Sequence, residues 1–170
     1  KNLLPSLRKL EKALLQKAKQ FQKTVKSGRT HLRDALPITL GQEFHAYATM
    51  IHENIEHIED DSKSLEELNI GGTAIGTGVN ASKKYQKVVI QKINKYTKFH
   101  FKPAKDLIEA TASLGAIART SAPLKTLALD LIKIANDLRL LSSGPVTGLN
   151  EIFLPAVQPG SSIMPGKVNP

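Results

Sequence analysis

Cysteine and tryptophan are absent from this sequence, and aromatic residues make up only 5% of it. Without cysteine there can be no disulfide, no thiolate nucleophile and no thiolate-ligated metal centre. The same absence fits a reducing compartment, and a cytoplasmic location is expected. A shortage of aromatics argues against a β-sandwich or barrel, where such residues fill the pleated faces. No apolar run approaches the roughly 18 residues of a membrane span, so no membrane association is expected. No charged-apolar-small leader precedes the first helix-like segment, and nothing points to secretion. What is present instead is alanine, leucine and isoleucine, a mixture suited to long packed helices. At 170 residues the chain is long enough for one sizeable core.

The net charge of +9 raises the question of a nucleic-acid partner. From Lys1 to Arg33 there are ten Lys/Arg and one Glu, whereas Ala35 to Gly72 holds eight Asp/Glu and one lysine, Lys63. Antiparallel packing of these two segments would let the charges complement each other. No broad basic face would remain, base-stacking aromatics and a recognisable nucleic-acid module are also missing, and no nucleic-acid partner is expected.

Apolar periodicity predicts an all-α chain of long antiparallel helices over about 5–26, 40–68, 82–96 and 104–142. In the first, Leu7, Leu10, Leu14, Leu15, Ala18, Phe21 and Val25 form one stripe opposite a lysine-rich face. Thr39 and Gln42 make a capping-box pattern for the second. Ser82 can cap the third. The fourth is apolar nearly all round, from Leu107 to Leu138, which predicts a buried helix kinked at Pro123. Residues 1–142 therefore read as a helical-bundle segment and 143–170 as a glycine- and proline-rich loop region. Three helices do not cover such a central helix, so further sequence or other copies of the chain are expected to do so. The chain stops within that loop region and reads as a fragment.

Three loops combine glycine with polar residues, and ligand contacts usually lie on such loops. Around Gly28 to Asp34, Thr30 offers a hydroxyl and His31 an imidazole able to donate to a carboxylate or move a proton. The bland alternative is a helix stop and turn. Gly71 to Asn80 lacks the ending of a phosphate-binding P-loop and reads as a tight turn, although Thr73 and Thr77 could reach a ligand. His45, His52 and His57 lack the four-residue spacing of a helical metal site. In the last loop, Gly160-Ser161-Ser162 supplies N–H groups with little steric cover, Lys167 a point charge and Asn169 an amide. Serine is a poor base unless donors and a cation stabilise its alkoxide, and this grouping supplies both. Pro165-Gly166 would permit closure over a substrate. Composition alone leaves a flexible linker equally open.

The run Gly160-Ser-Ser-Ile-Met-Pro-Gly-Lys-Val-Asn-Pro170 resembles the signature loop of the fumarase/aspartase superfamily. Gly28-Arg-Thr-His-Leu-Arg-Asp-Ala35, Leu40-Gly-Gln-Glu-Phe44, Gly72-Thr-Ala-Ile-Gly-Thr-Gly-Val-Asn80 and Ser142-Ser-Gly-Pro145 with Gly148-Leu-Asn-Glu-Ile152 agree in order. The resemblance implies a central helical bundle that assembles into a homotetramer, with active sites built from three subunits. It implies that Ser161 removes the Cβ proton of a small dicarboxylate, and that His31 binds substrate or transfers a proton. Thr30, Ser162, Lys167, Asn169 and the backbone at Val168 would bind substrate. Elimination would be anti, through an aci-carboxylate intermediate, without metal or organic cofactor.

Asp106-Leu-Ile-Glu-Ala-Thr111 and Asn136-Asp-Leu-Arg-Leu-Leu-Ser-Ser-Gly144 resemble the aspartate ammonia-lyases more than the class II fumarases. Release of ammonia from L-aspartate to give fumarate is therefore expected, with fumarate hydration to L-malate as the alternative. The family's usual arginine is replaced by Val146, and Pro123 falls where relatives keep an uninterrupted helix. Upstream substrate-binding loops and a glutamate that orients His31 are not in the sequence. The isolated chain is accordingly expected to be inactive, a helical assembly module.

Overall fold

The computed structural model describes residues 2–164 and 167–169. Among the described residues there are five α-helices, and strand pairing is confined to three two-stranded pieces. Two compact units are present, Lys1–Leu127 and Ala128–Pro170.

In the first unit, α1 (Leu3–Gln20) and α2 (Leu40–Ser62) pack antiparallel. Leu7, Leu14 and Ala18 are buried on α1, and Phe44, Tyr47, Ala48, Ile51, Ile55 and Ile58 on α2. Ile51 is fully enclosed, which contributes roughly 1.5–3 kcal/mol relative to exposure. Phe21 and Phe44 pack with ring centroids 5.6 Å apart at the closed end of the pair. The charge complementarity expected of these segments is present in two pairs, Arg8 with Glu59 and Lys26 with Glu43, while His52 of α2 meets Glu11 of α1 at 2.9 Å. The α2 capping box forms with both of its bonds, Gln42 N–H donating to Thr39 Oγ1 at 3.1 Å and Thr39 N–H to Gln42 Oε1 at 2.9 Å. Such a cap is worth about 1 kcal/mol. At the other end, Lys63 donates to Asp60 and holds its carboxyl below the usual carboxylate range.

The first helix ends earlier than its apolar periodicity predicts, at Gln20 rather than near 26. The reason lies in α2, whose first N–H groups need acceptors. Gly41 N–H donates to Phe21 O and Leu40 N–H to Thr24 O, which holds residues 21–24 in a turn. The segment expected to be a loop is then a hairpin, β1 (Val25–Thr30) with β2 (Arg33–Thr39). Its register slips between Ser27 and Arg29, at Gly28. Pro37 sits opposite Ser27 in this two-stranded piece, where the missing N–H is tolerated.

The second helix is also shorter than expected, since 63–68 form a 3-10 turn and the short β3 (Glu67–Leu68). Ser82 caps α3 (Lys83–Thr97) through Tyr85 N–H. Strand β4 (Lys102–Pro103) then pairs parallel with β3. The fourth expected helix is two helices, α4 (Leu107–Ala112) and α5 (Gly115–Leu141). Asp106 caps α4 by accepting from Ile108 and Glu109 N–H, and Ser113 Oγ accepts from Gly115 N–H. Those two short polar side chains divide the run.

Pro123 lies inside α5, which continues through it. In the single chain this helix is not buried on most faces, in line with the expectation that three helices do not cover it. Its buried large residues are Leu127, Ile134 and Leu141, spaced seven apart, while Ile117, Leu124, Leu129, Ile132 and Leu140 are exposed. One face is covered because one chain supplies cover for one face. In the second unit, β5 (Gln158–Pro159) and β6 (Val168–Asn169) pair antiparallel.

Candidate active site

Two of the three polar loops present the candidate side chains, one in each unit. In the first unit the hairpin β1–β2 ends at the pair Thr30↔Arg33, leaving His31 and Leu32 as a two-residue turn. Both have positive φ, 49° and 61°, the backbone of a type I′ turn normally given to Asn-Gly. A bulky residue pays a conformational cost there, and such strain tends to mark functional positions. Thr30 and His31 are exposed at this tip. The base of the hairpin is tied to α2 by Lys26 Nζ donating to Glu43 Oε1 at 2.7 Å, a pair with side chains 9% and 21% exposed. The turn is thus a projecting tip on an anchored stem.

In the second unit the terminal loop is a small hairpin rather than an unpaired linker. Gln158 faces Asn169 and Pro159 faces Val168. Gly160 N–H donates to Lys167 O at 3.0 Å, and Lys167 N–H donates to Met164 O at 3.2 Å. These bonds bring Gly160, Ser161, Lys167 and Asn169 into one structure. A Cβ on Gly160 would lie 2.8 Å from Lys167 Cγ and 3.1 Å from Asn169 Oδ1, so a side chain there would displace both. Ser162 is exposed, while Ser161 and Asn169 are half-buried. The closure expected at Pro165-Gly166 lies outside the described residues.

Ser161 is the focus of that hairpin. Its Oγ accepts from Ile163 N–H at 3.1 Å and from Met164 N–H at 3.3 Å. Two backbone donors on one hydroxyl oxygen favour its anionic form over that of an isolated serine. The sequence suggested donors at residues 160–162, but the donors are those of Ile163 and Met164. Backbone N–H groups carry no residue-type signal, and only the turn geometry reveals which of them converge. Leading into the hairpin, Asn150 N–H donates to Ser143 O and Leu149 N–H to Ser143 Oγ, which closes the loop after α5 upon itself.

The remaining candidates fall elsewhere. Thr73 and Thr77 are exposed in the turn between β3 and α3, which is closed by bonds from Gly76 and Gly78 N–H to Gly72 O. His52 bridges Glu11 on α1 and Glu56 on α2. Among the described residues no cluster of three or more His, Cys, Asp or Glu could hold a metal ion. Nor is any described helix long and apolar enough to cross a membrane.

Comparison with known proteins places the whole chain in one family. A family model described as lyase matches residues 1–170. Aspartate ammonia-lyase of Helicobacter pylori (strain ATCC 700392 / 26695) is 54% identical over 169 residues, covering 99% of this chain and 36% of the relative. The aspartate ammonia-lyase of Escherichia coli (strain K12) is 49% identical over 168 residues, covering 99% of this chain and 35% of that one. Among solved structures, class II fumarase from Schistosoma mansoni superposes with a TM-score of 0.94 at 38% identity, over 98% of this chain and 38% of its own. Fumarate lyase:delta crystallin from Brucella melitensis, in its cobalt-bound form, gives a TM-score of 0.91 at 49% identity, over 97% of this chain and 36% of its own. The chain thus spans little more than a third of these relatives. With the family model matched along all 170 residues and these relatives alike in sequence and fold, the chain belongs to the lyase family of aspartate ammonia-lyases and fumarases.

Proposed function

We propose that this chain is the central segment of an enzyme that eliminates ammonia from L-aspartate to give fumarate. The observation that carries the reading is Ser161 Oγ under two backbone N–H donors, in a hairpin that also holds Lys167 and Asn169. As an alkoxide, Ser161 takes the Cβ proton. The electron pair passes to the neighbouring carboxylate, giving an aci-carboxylate, and returns to form the Cα–Cβ double bond as the amine leaves on the opposite face. Lys167, Asn169 and the Val168 backbone hold a substrate carboxylate, and Ser162 adds a loop contact. Thr30 binds the substrate from its hairpin tip, and His31 binds it or moves a proton. No metal or organic cofactor is needed for these steps.

The exposed apolar residues of α5 support assembly with other copies of the chain, as a homotetramer whose sites draw on more than one subunit. A cytoplasmic location belongs to the same proposal. Hydration of fumarate to L-malate is the second reading, favoured by the likeness to a class II fumarase structure. The chain alone is proposed to be an inactive assembly module, because it spans 36% of its relatives' length.

The test uses the intact protein with fumarate, following the ultraviolet absorbance of the double bond with and without ammonium. Fumarate loss should require ammonium, and the 170-residue chain alone should show no turnover. Ammonium-independent loss would favour the second reading, and robust turnover by the chain alone would end the inactivity proposal.

A further inference from the structure

The balance between a basic first segment and an acidic second one leaves the rest of the charge unexplained. From Leu68 to Lys105 the sequence has eight lysines and no Asp or Glu. This stretch contains α3 and the turn after it. The helix is amphipathic, with Ile90 buried and Val89, Ile93 and Asn94 half-buried on its inner side. Its outer face presents Lys84, Lys87, Lys92 and Lys95 to solvent. Lys102 pairs with Glu67, but Lys84, Lys87, Lys92, Lys95, Lys98 and Lys105 have no carboxylate partner among the described residues.

Interleaved with those charges are exposed rings. Tyr85 is 54% and Tyr96 81% exposed. They are eleven residues apart, hence on nearly the same side of α3 and about 16 Å apart along its axis, with Lys92 between them. Beyond the helix, Lys98 adopts φ 62° as its cap, and Asn94 grips Phe101 by two bonds of 2.8 Å. That clamp fixes a turn on which Phe99 is 43% exposed and His100 is also exposed. A surface of lysines alternating with solvent-facing rings, on a fixed backbone, matches what non-specific single-strand binders use: cations for phosphates and rings for base faces.

We infer that α3 and its following turn form a binding surface for single-stranded nucleic acid, with Lys84, Lys92 and Lys95 on phosphates and Tyr85 and Tyr96 stacking on bases. An anionic membrane is the less suitable partner, because the large apolar side of α3 faces the protein and cannot enter a bilayer. The expectation of no nucleic-acid partner rested on the first two charge segments and on a lack of base-stacking aromatics, and did not weigh the lysines and exposed rings of this third segment. None of the residues assigned to elimination takes part.

The test is fluorescence anisotropy of the intact protein with labelled single-stranded 20-mers of uridine or thymidine at low salt. Binding is expected, and with three phosphates engaged it should weaken about tenfold between 50 and 150 mM salt. The triple variant Lys84→Glu/Lys92→Glu/Lys95→Glu should bind at least about tenfold more weakly, while Lys84→Arg/Lys92→Arg/Lys95→Arg retains binding. Tyr85→Ala/Tyr96→Ala should lose at least about thirtyfold for the oligonucleotides and nothing for inorganic polyphosphate. Circular dichroism and elution volume matching the parent show that each variant is folded. The inference is overturned by no oligonucleotide binding at 50 mM salt, by binding indifferent to the lysine swap, or by equal binding without the tyrosines. Attachment to phosphatidylserine vesicles without oligonucleotide binding would overturn it too.

Discussion

Ser161→Ala in the intact protein should lower the rate of elimination by roughly 10²–10⁴, the range expected for removing a positioned general base. Substrate affinity should change little, because Lys167, Asn169 and Thr30 are the groups proposed to hold it. Assembly should be unaffected. The hairpin bonds from Gly160 to Lys167 and from Lys167 to Met164 run through backbone and do not involve the hydroxyl. What the substitution does remove is the acceptor for Ile163 and Met164 N–H, two groups at an exposed turn that water can satisfy. Steady-state rates, together with exchange of the Cβ proton into solvent, separate this outcome from a folding defect. Near-normal turnover in a variant of unchanged oligomeric size would remove Ser161 from the mechanism.

A large loss of stability is expected at Gly41. This buried second residue of α2 lies against the end of α1, and a Cβ there would sit 2.5 Å from Ala18 O and 2.6 Å from Gln22 Cα. Both are backbone atoms, so no rotamer change relieves the contact; the two helices must separate. Separation would weaken the bonds from Gly41 N–H to Phe21 O and from Leu40 N–H to Thr24 O, and the Phe21–Phe44 contact. Overpacking of a side chain typically costs 1–3 kcal/mol, and a backbone clash should reach about 3 kcal/mol or more for Gly41→Ala. Gly115→Ala is the control. Its Cβ would meet only the Ser113 hydroxyl, at 3.1 Å, and the gain in helix propensity should leave stability unchanged or raised by up to about 1 kcal/mol. Denaturant midpoints of the two variants compare them directly, and equal midpoints would mean that the α1–α2 approach is looser than described.

The helices were legible in the sequence wherever one signal acted locally. Thr39 and Gln42 are three residues apart, so their mutual bonds need no knowledge of the rest of the chain. The α1–α2 pairing was legible as well, because two oppositely charged segments with apolar stripes have one economical arrangement. The β1–β2 hairpin was not. Gly28 and Pro37 weaken any strand pattern, and α1 stops where it does because α2 needs the carbonyls of Phe21 and Thr24. That is a tertiary demand overriding local periodicity. The division of α4 from α5 did leave a trace, in Asp106 and Ser113, two residues that favour caps over helix interiors.

The candidate site divides along the same line. Gly160, Ser161, Lys167 and Asn169 could be named from residue types and from the resemblance they carry. Their joining by a short ladder, and the choice of Ile163 and Met164 as donors to Ser161, follow from backbone geometry that those types do not encode. For His31 the position in a strained two-residue turn emerged only from the φ values of His31 and Leu32. The exposed apolar residues of α5 are the uncovered surface that the sequence led us to expect, because one chain cannot cover a helix apolar on several faces.

The central claim is that Ser161 and its hairpin serve ammonia elimination, and it is tested most directly in the reverse direction. The intact protein is incubated with fumarate and ammonium in deuterium oxide, and the product is read by proton NMR. The account predicts L-aspartate carrying a single deuterium at Cβ, placed by anti addition, and formed at least about a hundredfold more slowly in the Ser161→Ala variant. Malate formed at the same rate whether or not ammonium is present, with no aspartate, would contradict it.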